Sequence, residues 1–295
     1  MLTIKTKTWT PARFEELGRG GEAVVYKMRD DIAAKIFHLP SAIEFADSPE
    51  MQDAARVRIK EMQTKLLKFP EVLTSDVAAP NGVLVNGKDQ IFGYVMPFID
   101  GISLDRFGRT TSILTASLTL KLLSGLHDLV KGLHAKGVVI GDLNENNIIV
   151  SKRKPRLIDA DSVQFGPYKC KSFMPRFVAP EIITLGENGN PLQPTFNMVA
   201  PHSELTDWYS FMVIAMRLIT FTDPYGGLAN GVDLGERIAK RMTVFDPKVM
   251  YPRIAKPLKC VPRPILEAFF RMFHKGERFI PDKEVFRSLC PNCKN

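Results

Sequence analysis

The strongest constraint on this chain is a change of character at about Asp100–Gly101. Before it, apolar residues come in short runs broken by turn residues. "FEELGRGGEAVVYKMRDDIAAKIF" holds two apolar runs around a glycine cluster and an Arg-Asp-Asp turn, which predicts a three-strand meander. One helix interrupts the strands: "SPEMQDAARVRIKEMQTKLLKF" opens on Ser48-Pro49-Glu50 and stops before Pro70. Strands follow near "GVLVN" and "IFGYVMPF". After the boundary, "LTASLTLKLLSGLHDLVKGLHAKG" carries apolar residues at helical spacing and ends at Gly137, and helices dominate from Glu204 onward. Strands followed by helices predict an α+β fold of two lobes, each with its own core. The expected divisions are a sheet lobe over 1–100, a helical lobe over 101–289 and a short tail over 290–295.

A chain of 295 residues, 45% of them hydrophobic, suffices for two such cores. The start, "MLTIKTKTWTPARF", lacks the apolar core of a signal peptide. "FMVIAMRLITF" is short, is interrupted by Arg217 and reads as a buried helix rather than a membrane span. The expected setting is the cytoplasm, with no membrane partner. Four cysteines make no disulfide framework in a chain this long. A formal charge of +8 favours an anionic partner, whether a nucleotide, an acidic protein or nucleic acid. The excess is dispersed, and its denser spots, "KRKPR" and "YKCKSFMPR", read first as solvated basic faces.

Four separated stretches bear chemistry. "LGRGGEAVVY" has Gly18, Gly20 and Gly21, where backbone amides could approach phosphates; a hairpin turn would use the same glycines. Lys35 sits among apolar residues in "IAAKIF": either it snorkels from an edge strand or it needs an anionic partner, for which Glu61 on the following helix is the best candidate. "VVIGDLNENNIIV" bends between two apolar pieces through Asp142, Asn144 and Asn147. "RLIDADSVQF" ends a strand in Asp159 and Asp161, oxygen donors that together with Asn147 suit a hard cation.

This order of motifs resembles the eukaryotic-like protein kinase fold over about residues 12–288. The resemblance implies that Asp142 in "IGDLNENN" is the catalytic base and Asn147 a metal ligand. Asp159 of "DAD" becomes the principal metal ligand and Asp161 an extra one. It also implies that Lys35, paired with Glu61, holds phosphates under the glycine turn. Val25 and Ala33 fall where the family lines the nucleotide. "MPFIDG" is similar to the hinge, with Met96 as gatekeeper and Phe98 and Ile99 offering backbone groups to adenine. "APE" stands at Ala179–Glu181, Arg278 matches its pairing arginine, and Asp207 matches the aspartate supporting the catalytic loop. The implied cofactors are ATP with magnesium or manganese. "GDLNENN" with "IDADSVQ" further resembles bacterial kinase-like proteins found near tellurite-resistance and phosphatase partners, some with helix-hairpin-helix segments.

Several positions depart from the family pattern. Gly141 replaces the catalytic-loop arginine, Asn144 the catalytic-loop lysine, Met174 the threonine before "PRFVAPE", and Ala160 the phenylalanine after the metal aspartate. Without the arginine, activation should not require a phosphate on 162–178. Without the lysine, Asn144 can offer the transferred phosphate only a neutral hydrogen bond. Three readings follow: an ATP-dependent kinase acting on protein Ser or Thr or on itself, a nucleotide-binding scaffold without turnover, and a kinase-fold enzyme with an atypical acceptor or with AMP transfer. Cys290 and Cys293 have metal-knuckle spacing but supply only two of the four ligands of a structural zinc.

Overall fold

In the computed structural model, residues 2–5, 10–71, 74–109, 114–185 and 196–289 are described. The expectation for Cys290 and Cys293 lies outside them. The chain divides into two compact units: Met1–Asp100 with Leu157–Asp161, and Gly101–Arg156 with Ser162–Asn295.

The first unit is a six-stranded sheet with one long helix. Its strands are β1 (Leu2–Lys5), β2 (Glu15–Arg19), β3 (Ala23–Arg29), β4 (Ile32–Phe37), β5 (Gly82–Val85) and β6 (Ile91–Pro97), in the order β1-β5-β6-β4-β3-β2. β2, β3 and β4 form the expected antiparallel meander. β1, which the sequence reading did not assign, adds in parallel beside β5. Strand alternation gives the sheet two apolar faces. Ala34, Leu84 and Val95 lie on one, while Ala33, Phe37, Val83 and Tyr94 lie on the other. Helix α1 (Pro49–Lys65) covers the second face with Met62. Ser48 caps it: its side chain accepts from the Met51 amide, and Pro49 supplies a first-turn residue that needs no amide partner.

The second unit is mainly helical. β7 (Ile102–Ser103) leads into α2 (Leu104–Gly108), and α3 (Ala116–His134) follows. α3 buries Leu122, Leu126, Val130 and Leu133, whose spacing keeps them on one stripe. It ends as expected: Gly137 takes φ +70° and donates its amide to His134 O. β8 (Ile148–Ser151) and β9 (Lys154–Leu157) form a sheet with β7. β10 (Ile183–Leu185) pairs with β11 (Phe196–Met198). α4 (Glu204–Thr220) is the apolar segment read as a buried helix, and its ends explain its placement. A reciprocal Ser203/Thr206 capping box starts it, and Phe221 in the left-handed region stops it. The interrupting Arg217 lies 2.9 Å from Glu145 Oε2. Two short helices, α5 (Leu234–Ala239) and α6 (Arg263–Phe269), complete the unit. No helix among the described residues is long and apolar enough to cross a membrane.

Candidate active site

The first unit brings Lys35, Asp159 and Asp161 together. Lys35 lies on β4 with its Cα partner Tyr94 directly across on β6, and both face the α1 side of the sheet. Lys35 Nζ donates to Asp159 Oδ1 at 2.5 Å, and to Asp161 Oδ1 and Oδ2 at 2.8 and 3.1 Å. Tyr94 Oη donates to Asp161 Oδ1 at 2.6 Å. Burial alone would push the Lys35 ammonium towards neutrality, but the two carboxylates outweigh it and raise its pKa. Burial likewise disfavours ionised Asp161. The Lys35 charge, the Lys35 and Tyr94 hydrogen bonds and the nearby charge of Lys65 hold its carboxyl below the usual range. Burial beside these two aspartates pushes the Tyr94 hydroxyl well up, so it stays a donor.

The expected Lys35–Glu61 pair is not formed; the carboxylates that meet Lys35 belong to Asp159 and Asp161. Glu61 is half-buried on α1, and the buried charge on that helix is Lys65, one turn further on. Periodicity missed Lys65 and Tyr94 because a lysine in a polar helix and a tyrosine in a strand are ordinary residues. The usable signal for Tyr94 was its polar tip inside an otherwise apolar strand.

Asp159 takes φ +60°, a left-handed value uncommon outside glycine. A non-glycine residue held there at the end of an apolar pair is the kind of local strain that collects at functional sites. Its side chain is 36% exposed against 6% for Asp161. Asp159 therefore fits a cation ligand, whereas Asp161 would have to surrender three hydrogen bonds to become one.

The rest of the expected nucleotide wall also belongs to this unit. Ala33 and Met96 are buried in one apolar cluster, with Val25, Phe98, Ile99 and Ile158 packed partly against it. Phe98 donates its amide to Asp31 O at 2.9 Å, so only its carbonyl side suits a base edge. Ile99 lies beyond the end of the strand. A Cβ at Gly18 or Gly21 would meet nothing within 4 Å, one at Gly20 only Ala23 O at 3.9 Å, and none of the three has positive φ. Neither packing nor backbone conformation calls for glycine there, and the open space leaves room for close approach of a ligand. His38, which the sequence reading passed over, steadies the turn with Nε2 3.0 Å from Gly20 O.

The second unit holds the "GDLNENN" bend. Asp207, wholly buried on α4, accepts from the Ile140 and Gly141 amides at 2.7 and 2.8 Å, and from His134 Nε2 at 2.8 Å. Asn144 is buried and is turned into the loop: its Nδ2 donates to Asp142 Oδ1 at 2.8 Å, and its Oδ1 accepts from the Asn146 and Asn147 amides. It holds Asp142 instead of facing a transferred phosphate, because this tight bend leaves backbone amides that a short amide side chain can satisfy. Asn147 Nδ2 donates to Asp142 O at 3.0 Å, which orients its amide and leaves Oδ1 as the hard donor a cation prefers.

Packing explains Gly141. It has φ +78°, and a Cβ there would stand 2.6 Å from Cys170 Sγ and 3.1 Å from His202 Cδ2. His202 Nε2 donates to Ser172 O at 3.0 Å, and Gln164 Nε2 donates to His202 O at 3.0 Å. Neutral hydrogen bonds and the packing of Cys170 and His202 thus hold the segment where it passes Gly141. Further along, Arg278 grips Glu181 through Nε and Nη2, both at 2.6 Å. A hollow of ≈ 550 Å³ beside the bend is lined by Glu145, Asn146, Met174, Phe177 and Tyr225 among others.

A protein kinase domain model matches residues 12–259, most of the chain. Protein kinase YegI of Escherichia coli strain K12 is 25% identical over 266 residues, covering 85% of this chain and 38% of that protein. YegI of Escherichia coli O157:H7 is 27% identical over 201 residues, covering 63% and 29%. Serine/threonine-protein kinase Pkn1 of Myxococcus xanthus is 27% identical over 190 residues, covering 59% and 27%. The chain therefore spans less than two-fifths of the length of each of these relatives. Its sheet unit with a strand lysine, its helical unit with an aspartate-held bend, and a family match running through both lead to one conclusion: this chain belongs to the protein kinase domain family, with that family's two-lobed α+β fold.

Proposed function

We propose that this chain transfers the γ-phosphoryl group of ATP to a serine or threonine hydroxyl of a protein, itself included. The observation that supports this best is Lys35, a strand ammonium held by Asp159 on the sheet face that also carries Ala33 and Met96. Lys35 would hold nucleotide phosphates and the apolar cluster the base. Asp159 and Asn147 would hold magnesium or manganese, which supplies charge neutralisation at the phosphates when bound. Asp142, oriented by Asn144, would accept the acceptor hydroxyl's proton as its oxygen bonds to the γ phosphorus and the bond to ADP breaks. An acceptor segment of a protein would lie in the hollow beside the bend, among Glu145, Asn146, Met174 and Phe177. The reaction so read is cytoplasmic, with a phosphatase as its natural opposing partner.

One observation favours a second reading. Asn144 is a neutral, buried scaffold residue, so the bend offers no lysine to the transferred phosphate. An AMP-transferring enzyme or a nucleotide-binding scaffold would tolerate that. Incubation with ATP labelled at the α or the γ position separates the three. Label from the γ position in protein confirms the kinase reading, label from α replaces it with AMP transfer, and saturable binding without transfer leaves the scaffold.

A further inference from the structure

We infer that Asp161 is the residue that positions Lys35 for the nucleotide phosphates, a role for which the sequence nominated Glu61. This inference rests on the nucleotide reading above and assigns a part of the same site.

Lys35 and Tyr94 are directly opposed on neighbouring antiparallel strands, so their side chains emerge together on one face. Both reach Asp161. Its carboxylate accepts two hydrogen bonds from Lys35 and one from Tyr94, at 2.6–3.1 Å. All three groups are buried, at 9% exposure or less. Charged hydrogen bonds in such a place are strong and directional, so they fix the ammonium in one orientation. α1 adds a cation to this carboxylate in Lys65, itself 3% exposed. The helix thus supports Asp161 with positive charge and does not supply the anion that meets Lys35. The two aspartates divide the work: the more exposed Asp159 suits a cation, and the buried Asp161 sets the lysine. Lys35 is then oriented by strand and loop within the first unit.

The test is ATP binding to the full chain by calorimetry, with chelator and with magnesium, for the parent and for Asp161→Asn, Tyr94→Phe, Glu61→Gln, Lys35→Met and the double variant Lys35→Met/Asp161→Asn. Asp161→Asn should weaken metal-free ATP binding by roughly tenfold, the scale of one charged hydrogen bond. The same change should cost little in the Lys35→Met background, because a residue that acts only through Lys35 has nothing left to orient. Tyr94→Phe should weaken binding in the same direction by a smaller factor, and it decides the matter if Asp161→Asn fails to fold. Glu61→Gln should weaken binding less than Asp161→Asn. Additive losses in the double variant would overturn the inference. So would the reverse order of Glu61 and Asp161, or an Asp161→Asn effect confined to the magnesium titration, which would make Asp161 a metal ligand. If the parent shows no saturable ATP binding, the nucleotide reading itself fails and takes this inference with it.

Discussion

The Lys35 cluster and the Asp142 bend solve the same problem in opposite ways. Around Lys35, groups of full charge are set against one another: the buried ammonium, the buried Asp161 carboxylate, the more exposed Asp159 carboxylate and a second buried lysine on α1. Around Asp142, the side chains that shape the loop are neutral amides. Asn144, Asn147 and Gly141 hold the bend through amides and close packing, and two buried carboxylates fasten it to α4: Asp207 through the Ile140 and Gly141 amides, and Glu145 through Arg217. Charge in a dry site is worth far more than in water, but it is costly to leave unpaired. The first cluster therefore suits the binding of an anion that displaces or joins its carboxylates. The second suits exact placement of one carboxylate.

The sharpest way to break this contrast is to remove the two functional charges separately. Asp142→Asn should lower γ-phosphoryl transfer by about 10²–10⁴, the usual contribution of a general base, with ATP affinity near the parent's. Lys35→Met should lose affinity as well as rate. Equal losses of affinity in both variants, measured by calorimetry beside the labelled-ATP assay, would erase the division between binding and placement.

Gly141→Arg probes whether the bend depends on packing. With φ +78° and Cys170 Sγ 2.6 Å from the new Cβ, the side chain has no room. We expect a loss of about 1–3 kcal/mol in denaturant stability from backbone strain and overpacking, and no gain in activity. Ser172→Ala should change the rate little, since the segment is held through the Ser172 carbonyl. A rise in activity of Gly141→Arg on phosphorylation would show that a charge-based clamp can replace the packed one.

Asn144→Lys asks whether the neutral bend would benefit from charge. Asn144 is 1% exposed and satisfies Asp142 and two backbone amides. Replacing it strands the Asn146 amide, while the Asn147 amide keeps its bond to Asn144 O, so stability should fall by about 1–3 kcal/mol, and turnover should fall with it. A faster enzyme would mean that the lysine reaches the transferred phosphate and that the scaffold role is dispensable.

The smallest effect should come from the half-exposed pair Arg278–Glu181, which contrasts with the buried Lys35 pair. Burial opposes ionisation of Glu181, but the Arg278 fork and a backbone hydrogen bond outweigh it and depress its pKa. A depressed carboxylate contributes stability above its ordinary range and loses it as pH falls through the folded value. Glu181 is 45% exposed, so solvent screening should hold the pair below ~1 kcal/mol. The melting-temperature gap between the parent and Glu181→Gln should therefore be small at pH 7 and close below pH 4. A gap that widens in acid would reverse the assignment.

The α+β division, the meander, the capped helix after it and the apolar α4 were all legible in the sequence, because period and turn chemistry are local properties of the chain. So were the residues of the bend, since their motif is contiguous. Other features were not legible, and for a common reason. β1 is short, and only its neighbour β5 makes it a strand. Arg217 looked like an interruption until Glu145 lay beside it. Asn144 looked like a weakened lysine until its amide was seen to be used up inside the bend.

Sequence alone determined that Lys35, an ammonium in an apolar strand, would need an anion if it were buried. It nominated Glu61 for that role and read Asp159 and Asp161 as cation ligands. Only the tertiary structure chose among them. That choice depends on where the chain after β9 carries Asp159 and Asp161 and on which turn of α1 faces the sheet, and neither is local to Lys35.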